Sequence, residues 1–377
     1  MKFLWMTILS LPIIAGIGCG GAGSANGGPT PTPVPTPTPP TSGEYLFEGN
    51  SSASLNLASI HSSTGALGSP TLLASQADDD VIYPGVAVTP SKKFLYALFT
   101  SFTVVQGFQI SGPGLQLTKL SASPFSSPAS GPMNSMVLHP SGQFLYVIQS
   151  LGKIQEFSTN TTTGDLTAGS TLTSAADFRV AVIEPAGKFL YVTDLTGGRV
   201  FAYQINSADG SLAAVTGSPF IISATAQPDI PVIERTGHFL YVSLISGVAA
   251  FAINSSTGAL SAVPGSPFPT SNTPVFIAAD PVGNFIYVCN NTNGLIDGFA
   301  VDTTSGVLSV VPGSPVSTAQ GPSNITVDPS GNFVYVSIEP SNTVYGFSLN
   351  SSGSLSPLAG SPFIGVPNPT NLFIASF

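Results

Sequence analysis

Few side chains in this sequence have the type and spacing to do chemistry. Asp78, Asp79 and Asp80 form one acidic run. Three such carboxylates could hold Ca²⁺ through oxygen ligands, but no Gly-punctuated calcium loop surrounds them, and a solvated acidic loop is the competing reading. The three histidines, His61, His139 and His238, stand far apart, and the two cysteines, Cys19 and Cys289, lack zinc-ligand spacing. No Gly-x-Ser-x-Gly elbow accompanies a plausible triad. No cofactor is expected from these motifs. Arg179 and Asp229 are different in kind. They stand one repeat apart in the chain, and a guanidinium and a carboxylate so related can hold a polar ligand or simply each other.

The elements that must position these residues repeat from Glu44 onward. An aromatic–aliphatic–aromatic triplet recurs as YLF at 45–47, FLY at 94–96, 144–146, 189–191 and 239–241, FIY at 285–287 and FVY at 333–335. Repeats of about 45–50 residues indicate solenoids or propellers. In the last complete copy four short β-type runs, NITV, NFVYVSI, TVYGFSL and SLSPL, are joined by turn sequences. Asp328-Pro329-Ser330-Gly331 fits a type I turn, and Asn350-Ser351-Ser352-Gly353 fits a hairpin connection. The second run is apolar at consecutive positions, so both of its faces must be covered. No stretch sustains a 3.6-residue apolar period, and helix content should be very small. The first copy begins directly at its second strand, and Thr370–Ala375 is an orphan first strand at the other end. The expected fold is all-β: a seven-bladed β-propeller of four-stranded antiparallel blades over 44–377, closed by pairing the C-terminal strand with Glu44–Gly49.

The unit (D/H/E)P-x-G-x-F-L-Y-V, followed by V-x-x-F-x-I and G-x-L…GSPF, resembles the lactonase-type seven-bladed propellers. That family includes bacterial 6-phosphogluconolactonase and fungal carboxymuconate cyclase, and its units are similar to YVTN-type repeats. The resemblance implies His, Arg and Glu at the channel mouth, with a Pro-His pair opening an innermost strand. In the seven copies the position of that His is Pro84, Asn134, Arg179, Asp229, Val275, Ser323 and Thr370, and no copy carries Pro-His. His139 takes the Asp place of the type I turn, as do Glu184 and Glu234. His61 takes the Asn place of a hairpin turn, and His238 a variable place before a triplet. Two functions follow as expectations. One is a binding or interaction scaffold, with the family's catalytic His absent, taking a small-molecule, polymer or protein ligand at one propeller face. The other is a lactone hydrolase or ring-opening isomerase acting on a neutral lactone at the central channel, near Arg179, Asp229, Asn134 and Asp194. A structural ion pair between adjacent blades is the bland reading of Arg179 and Asp229.

Residues 1–18 read as a signal peptide, with Lys2 before an apolar stretch and small residues after it. The Cys19 that follows resembles the lipidated first residue of a bacterial lipoprotein. Residues 19–43 then form the lipid anchor and a Gly/Pro/Thr-rich stalk. The expected location is the cell envelope, in the outer membrane if the cell has two, with the membrane as a partner through the anchor. Of 377 residues 7% are charged, and the net charge is −9 with no basic run. That balance argues against nucleic acid as a partner. A phosphorylated lactone also fits poorly, since only eight Lys and Arg follow residue 18.

Overall fold

Each blade is organised by the turn between its first two strands. The computed structural model describes residues 43–50, 54–75, 81–99, 104–112, 115–129 and 131–377; the expected signal peptide, Cys19, the expected stalk and Asp78, Asp79 and Asp80 lie outside them. In blade 7 the Asp328 carboxylate accepts hydrogen bonds from the backbone N–H groups of Ser330, Asn332 and Phe333 at 3.1, 2.8 and 2.6 Å. One side chain thus satisfies three donors that the turn leaves unpaired. Glu234 does the same for Thr236, His238 and Phe239. His139 accepts at Nδ1 from the Ser141 N–H and donates from Nε2 to the Gly187 carbonyl of blade 4, at 3.1 and 2.8 Å. The histidine is framework, as its place in the repeat implies.

The described residues form seven antiparallel sheets. Blade 7 runs from the inner strand Pro322–Val327 through Phe333–Ile338 and Thr343–Leu349 to the outer strand Leu355–Pro357. The other blades repeat this order. Their inner strands are Pro369–Ser376, Val81–Val88, Met133–Leu138, Phe178–Ile183, Pro231–Ile233 and Pro274–Ala279 in blades 1 to 6. In several blades the GSPF motif adds a two-residue strand that returns to the third strand, as Phe363–Ile364 does on Thr343–Val344. Glu339–Ser341 is a short 3-10 helix. Every second strand is flanked by neighbouring blades, and Phe144–Gln149 and Phe239–Leu244 are buried at each position. That is why their apolarity is continuous rather than alternating.

The triplets couple neighbouring blades. Tyr96, Tyr146, Tyr191, Tyr241, Tyr287 and Tyr335 are fully buried. Each donates its hydroxyl to a hairpin glycine carbonyl in the next blade: Gly164, Gly210, Gly258, Gly306, Gly353 and, across the closure, Gly65, at 2.7–3.0 Å. Inner strands touch in sequence around the ring, and the inner strand of blade 1 touches those of blades 7 and 2. Closure is antiparallel, with Tyr45 opposite Ala375 and Phe47 opposite Phe373. The same blade holds a carboxyl where its sister copies hold Val or Ala. Glu48 is fully buried, and one oxygen accepts the Val366 N–H at 3.1 Å while the other has no partner among the described residues.

Candidate functional site

The N-terminal ends of the inner strands depart from regular pairing, and the departure falls on the positions aligned in the sequence. Against Phe144–Gln149, Ser135 pairs Ile148 and Met133 pairs Gln149, so Asn134 is skipped. Arg179 and Val180 are skipped between Phe178 and Ala181, Val275 between Pro274 and Phe276, Ser323 between Pro322 and Asn324, and Thr370 between Pro369 and Asn371. An extra, unpaired residue bends a strand and re-aims its side chain. Blade 5 instead begins its inner strand late, and Asp229 precedes it with its N–H on the Ser243 carbonyl at 3.0 Å.

These departures build one cavity of about 420 Å³, lined by Pro132, Met133, Asn134, Arg179, Val180, Asp229, Ile230, Val275, Phe276 and Ser323. Five of the aligned positions therefore meet there. Arg179 Nε lies 3.6 Å from Asp229 Oδ1, with the two side chains 41% and 37% exposed. The pair lines the cavity as an ion pair, its separation too long for a hydrogen bond, and Arg179 Nε is itself a buried atom without a hydrogen-bond partner among the described residues. Burial of the surrounding wall raises the Asp229 carboxyl above its ordinary range, and the Arg179 charge offsets part of that rise. The sequence left a structural pair and a ligand contact as alternatives; the structure brings the two residues together as a partly exposed ion pair on the cavity wall.

Asn134 lines the same cavity, but its Nδ2 donates to the Phe178 carbonyl at 2.6 Å and its Oδ1 accepts from Ser150 at 3.3 Å. Asp194 does not belong to the site. It ends the second strand of blade 4, fully buried, where it accepts the N–H groups of Asp177 and Gly197 and pairs with Arg199 Nε at 2.7 Å. Buried Asn50, Gln149 and Asn290 end the second strands of blades 1, 3 and 6, so the position fastens the adjoining loops rather than the channel. The acidic run at 78–80 lies outside the described residues, and no group of three metal-ligating His, Cys, Asp or Glu occurs within them. Cys289 is a buried free thiol, pushed up to about 12 by burial.

A second cavity of about 530 Å³ opens at the opposite ends of the inner strands, lined by residues such as Val86, Met136, Leu138 and Ile374. On its rim Lys92 donates to the Ser376 carbonyl and lies 5.4 Å from the Phe377 ring centroid.

Sequence comparison adds an independent finding. The family model for the lactonase seven-bladed β-propeller matches residues 85–278 and again 180–373. No curated protein matches. Solved structures of similar fold include a proposed 6-phosphogluconolactonase from Bacteroides fragilis, with 20% identity, coverage of 91% of this chain and 100% of that one, and a TM-score of 0.75. A protein from Lactobacillus plantarum gives 20%, 89%, 99% and 0.73 for the same quantities. The periplasmic gluconolactonase of Pseudomonas aeruginosa gives 20%, 88%, 99% and 0.72. At such identities the likeness is one of fold.

Proposed function

The chain belongs to the seven-bladed lactonase propeller family, and from that premise we propose that it binds a small uncharged acyl compound of lactone size at the mouth built around Arg179 and Asp229. One observation carries this reading: the Arg179 and Asp229 side chains, 41% and 37% exposed, meet as an ion pair on the wall of one cavity. A guanidinium beside a carboxylate offers donors and an acceptor at no net charge, which suits a neutral ligand carrying a carbonyl. Calorimetric titration with a panel of lactones tests it. Arg179→Met should weaken binding by about tenfold or more, with a melting curve to establish that the variant is folded. Affinity unchanged by that substitution would refute the site.

A second reading, lactone hydrolysis, is favoured by the placement of the Asp229 carboxyl beside Arg179 on the cavity wall. Asp229, raised by burial, would act as the general base that draws a proton from attacking water. Arg179 would polarise the ester carbonyl, and ring opening would yield a hydroxy acid. Acid release that survives in Asp229→Asn would exclude this role.

Export and anchoring complete the proposal. Residues 1–18 direct the chain out of the cytoplasm, Cys19 carries lipid, and 19–43 hold the propeller away from the membrane of the cell envelope. The layout of the N-terminal sequence supports this, and one structural neighbour is described as periplasmic. Cys19→Ser should move the protein from a detergent-requiring fraction to a soluble one; unchanged partitioning would contradict lipidation.

A further inference from the structure

Several polar groups at the mouth are already bonded within the protein. Asn134 spends its amide on the Phe178 carbonyl and on Ser150. The Ser323 hydroxyl sits between the Ser337 hydroxyl at 2.8 Å and the Pro369 carbonyl at 2.7 Å. Two backbone carbonyls at the strand starts are taken as well. Ser135 donates to that of Arg179 at 3.0 Å, and Thr193 to that of Asp229 at 2.7 Å. The N–H groups of Val180 and Ile230 go to Thr193 and Ser243 at 3.3 and 3.0 Å. Each of these bonds fixes a mouth residue to its own or a neighbouring blade, and each removes a group that a hydroxylated ligand would need.

The charged groups of the cavity are confined to one corner, Arg179 with Asp229, beside walls that include Met133, Val180, Ile230, Val275 and Phe276. A sugar lactone carries hydroxyls on most of its ring carbons. Seated here, those beyond reach of the polar corner would lose water without gaining a partner, which is unfavourable for each group so buried. An apolar substituent against the same walls gains from leaving water. About 420 Å³ is room for a ring with a short chain.

We infer that this mouth takes a ring ester or similar acyl compound with one polar head and an apolar body, such as an alkyl-substituted lactone, in preference to a polyhydroxylated sugar lactone. The inference rests on Arg179 and Asp229 being the ligand contacts, and the experiment separates the two claims. The full-length protein is titrated with δ-decalactone and with freshly dissolved glucono-δ-lactone, beside Arg179→Met and Val275→Asn, with melting curves to establish that each variant is folded. Asparagine already occupies the equivalent position of blade 3 as Asn134, so the second substitution is one the repeat accommodates.

The expected result is that δ-decalactone binds about tenfold or more tightly than glucono-δ-lactone, that Arg179→Met weakens it, and that Val275→Asn narrows the preference by adding a polar group to the wall. Equal or tighter binding of glucono-δ-lactone, still dependent on Arg179, would overturn the ligand class and leave the site standing. An unchanged preference in a folded Val275→Asn variant would also overturn it. Binding indifferent to Arg179→Met, or no saturable binding of either compound, would overturn the site and the inference together.

Discussion

Glu48 poses a charge problem that its sister positions avoid. The same place in the other triplet strands is Ala97, Val147, Val192, Val242, Val288 and Val336, all within the core. Across the sheet Glu48 faces Asn56 and Leu372, and its one hydrogen bond comes from Val366. Burial without a compensating charge pushes its carboxyl from 4.5 up to about 7. Between those two values the folded protein keeps a proton that the unfolded chain has lost. Stability therefore falls as pH rises through this window and levels off above it, by about 3 kcal/mol for a shift of this size. Glu48→Gln keeps an acceptor for Val366 and removes the titration. Its melting temperature should stay flat between about pH 5 and about pH 8, while that of the wild type declines. Parallel declines in both proteins would show that another group is responsible. Comparing seven copies isolates such oddities from sequence alone, and it isolated Arg179 and Asp229. It could not assign Asp194, because a charge at a strand end reads the same whether it faces a channel or fastens a loop. Only the recurrence of buried Asn50, Gln149 and Asn290 at that place shows which.

At the scale of the blade, the triplet and the hairpin act as one joint between neighbours. Tyr241 donates to the Gly306 carbonyl at 2.9 Å. Gly306 itself has a φ of +75°, and a Cβ there would meet the Phe239 ring at 2.4 Å. The hairpin therefore needs glycine for conformation and for the close approach of the neighbouring aromatic. Tyr241→Phe should cost about 1–2 kcal/mol, the price of leaving a buried carbonyl unpaired. Gly306→Ala should cost more, because it adds backbone strain to a steric clash. Chemical denaturation of both variants checks the order, and a harmless Gly306→Ala would contradict the joint. The strands and turns were legible because their chemistry is local: Asp-Pro-Ser-Gly specifies its turn wherever it occurs. The joint was not, since its partners lie more than sixty residues apart in sequence. The irregular strand starts were equally hidden. An extra residue in a strand is visible only against the register of its partner, so alignment found the mouth positions but not what turns them inward.

For the whole molecule the decisive feature is that blade 1 is assembled from both ends of the described propeller. Its inner strand Pro369–Ser376 pairs with Glu44–Asn50, and the chain end adds further contacts. Phe377 exchanges backbone hydrogen bonds with Gly43, packs edge-on against Tyr45 at 6.1 Å and lies beneath Lys92. In an open solenoid, loss of a terminal strand weakens one neighbour interface and leaves the remaining units intact. In a closed ring the same strand is also part of the inner wall, here touching the inner strands of blades 7 and 2. Deleting 370–377 should therefore act at both junctions, unpair the ladder of Glu44–Asn50 and expose a sheet edge near the channel. The expected loss exceeds about 4 kcal/mol, outside the range of ordinary surface changes, with aggregation on heating that light scattering would detect. Because the inner strands also carry Arg179 and Asp229, lactone binding should fail in the truncated protein even below its melting temperature. A truncation that melts and binds like the full chain would mean that the six remaining inner strands hold the mouth without a closed ring.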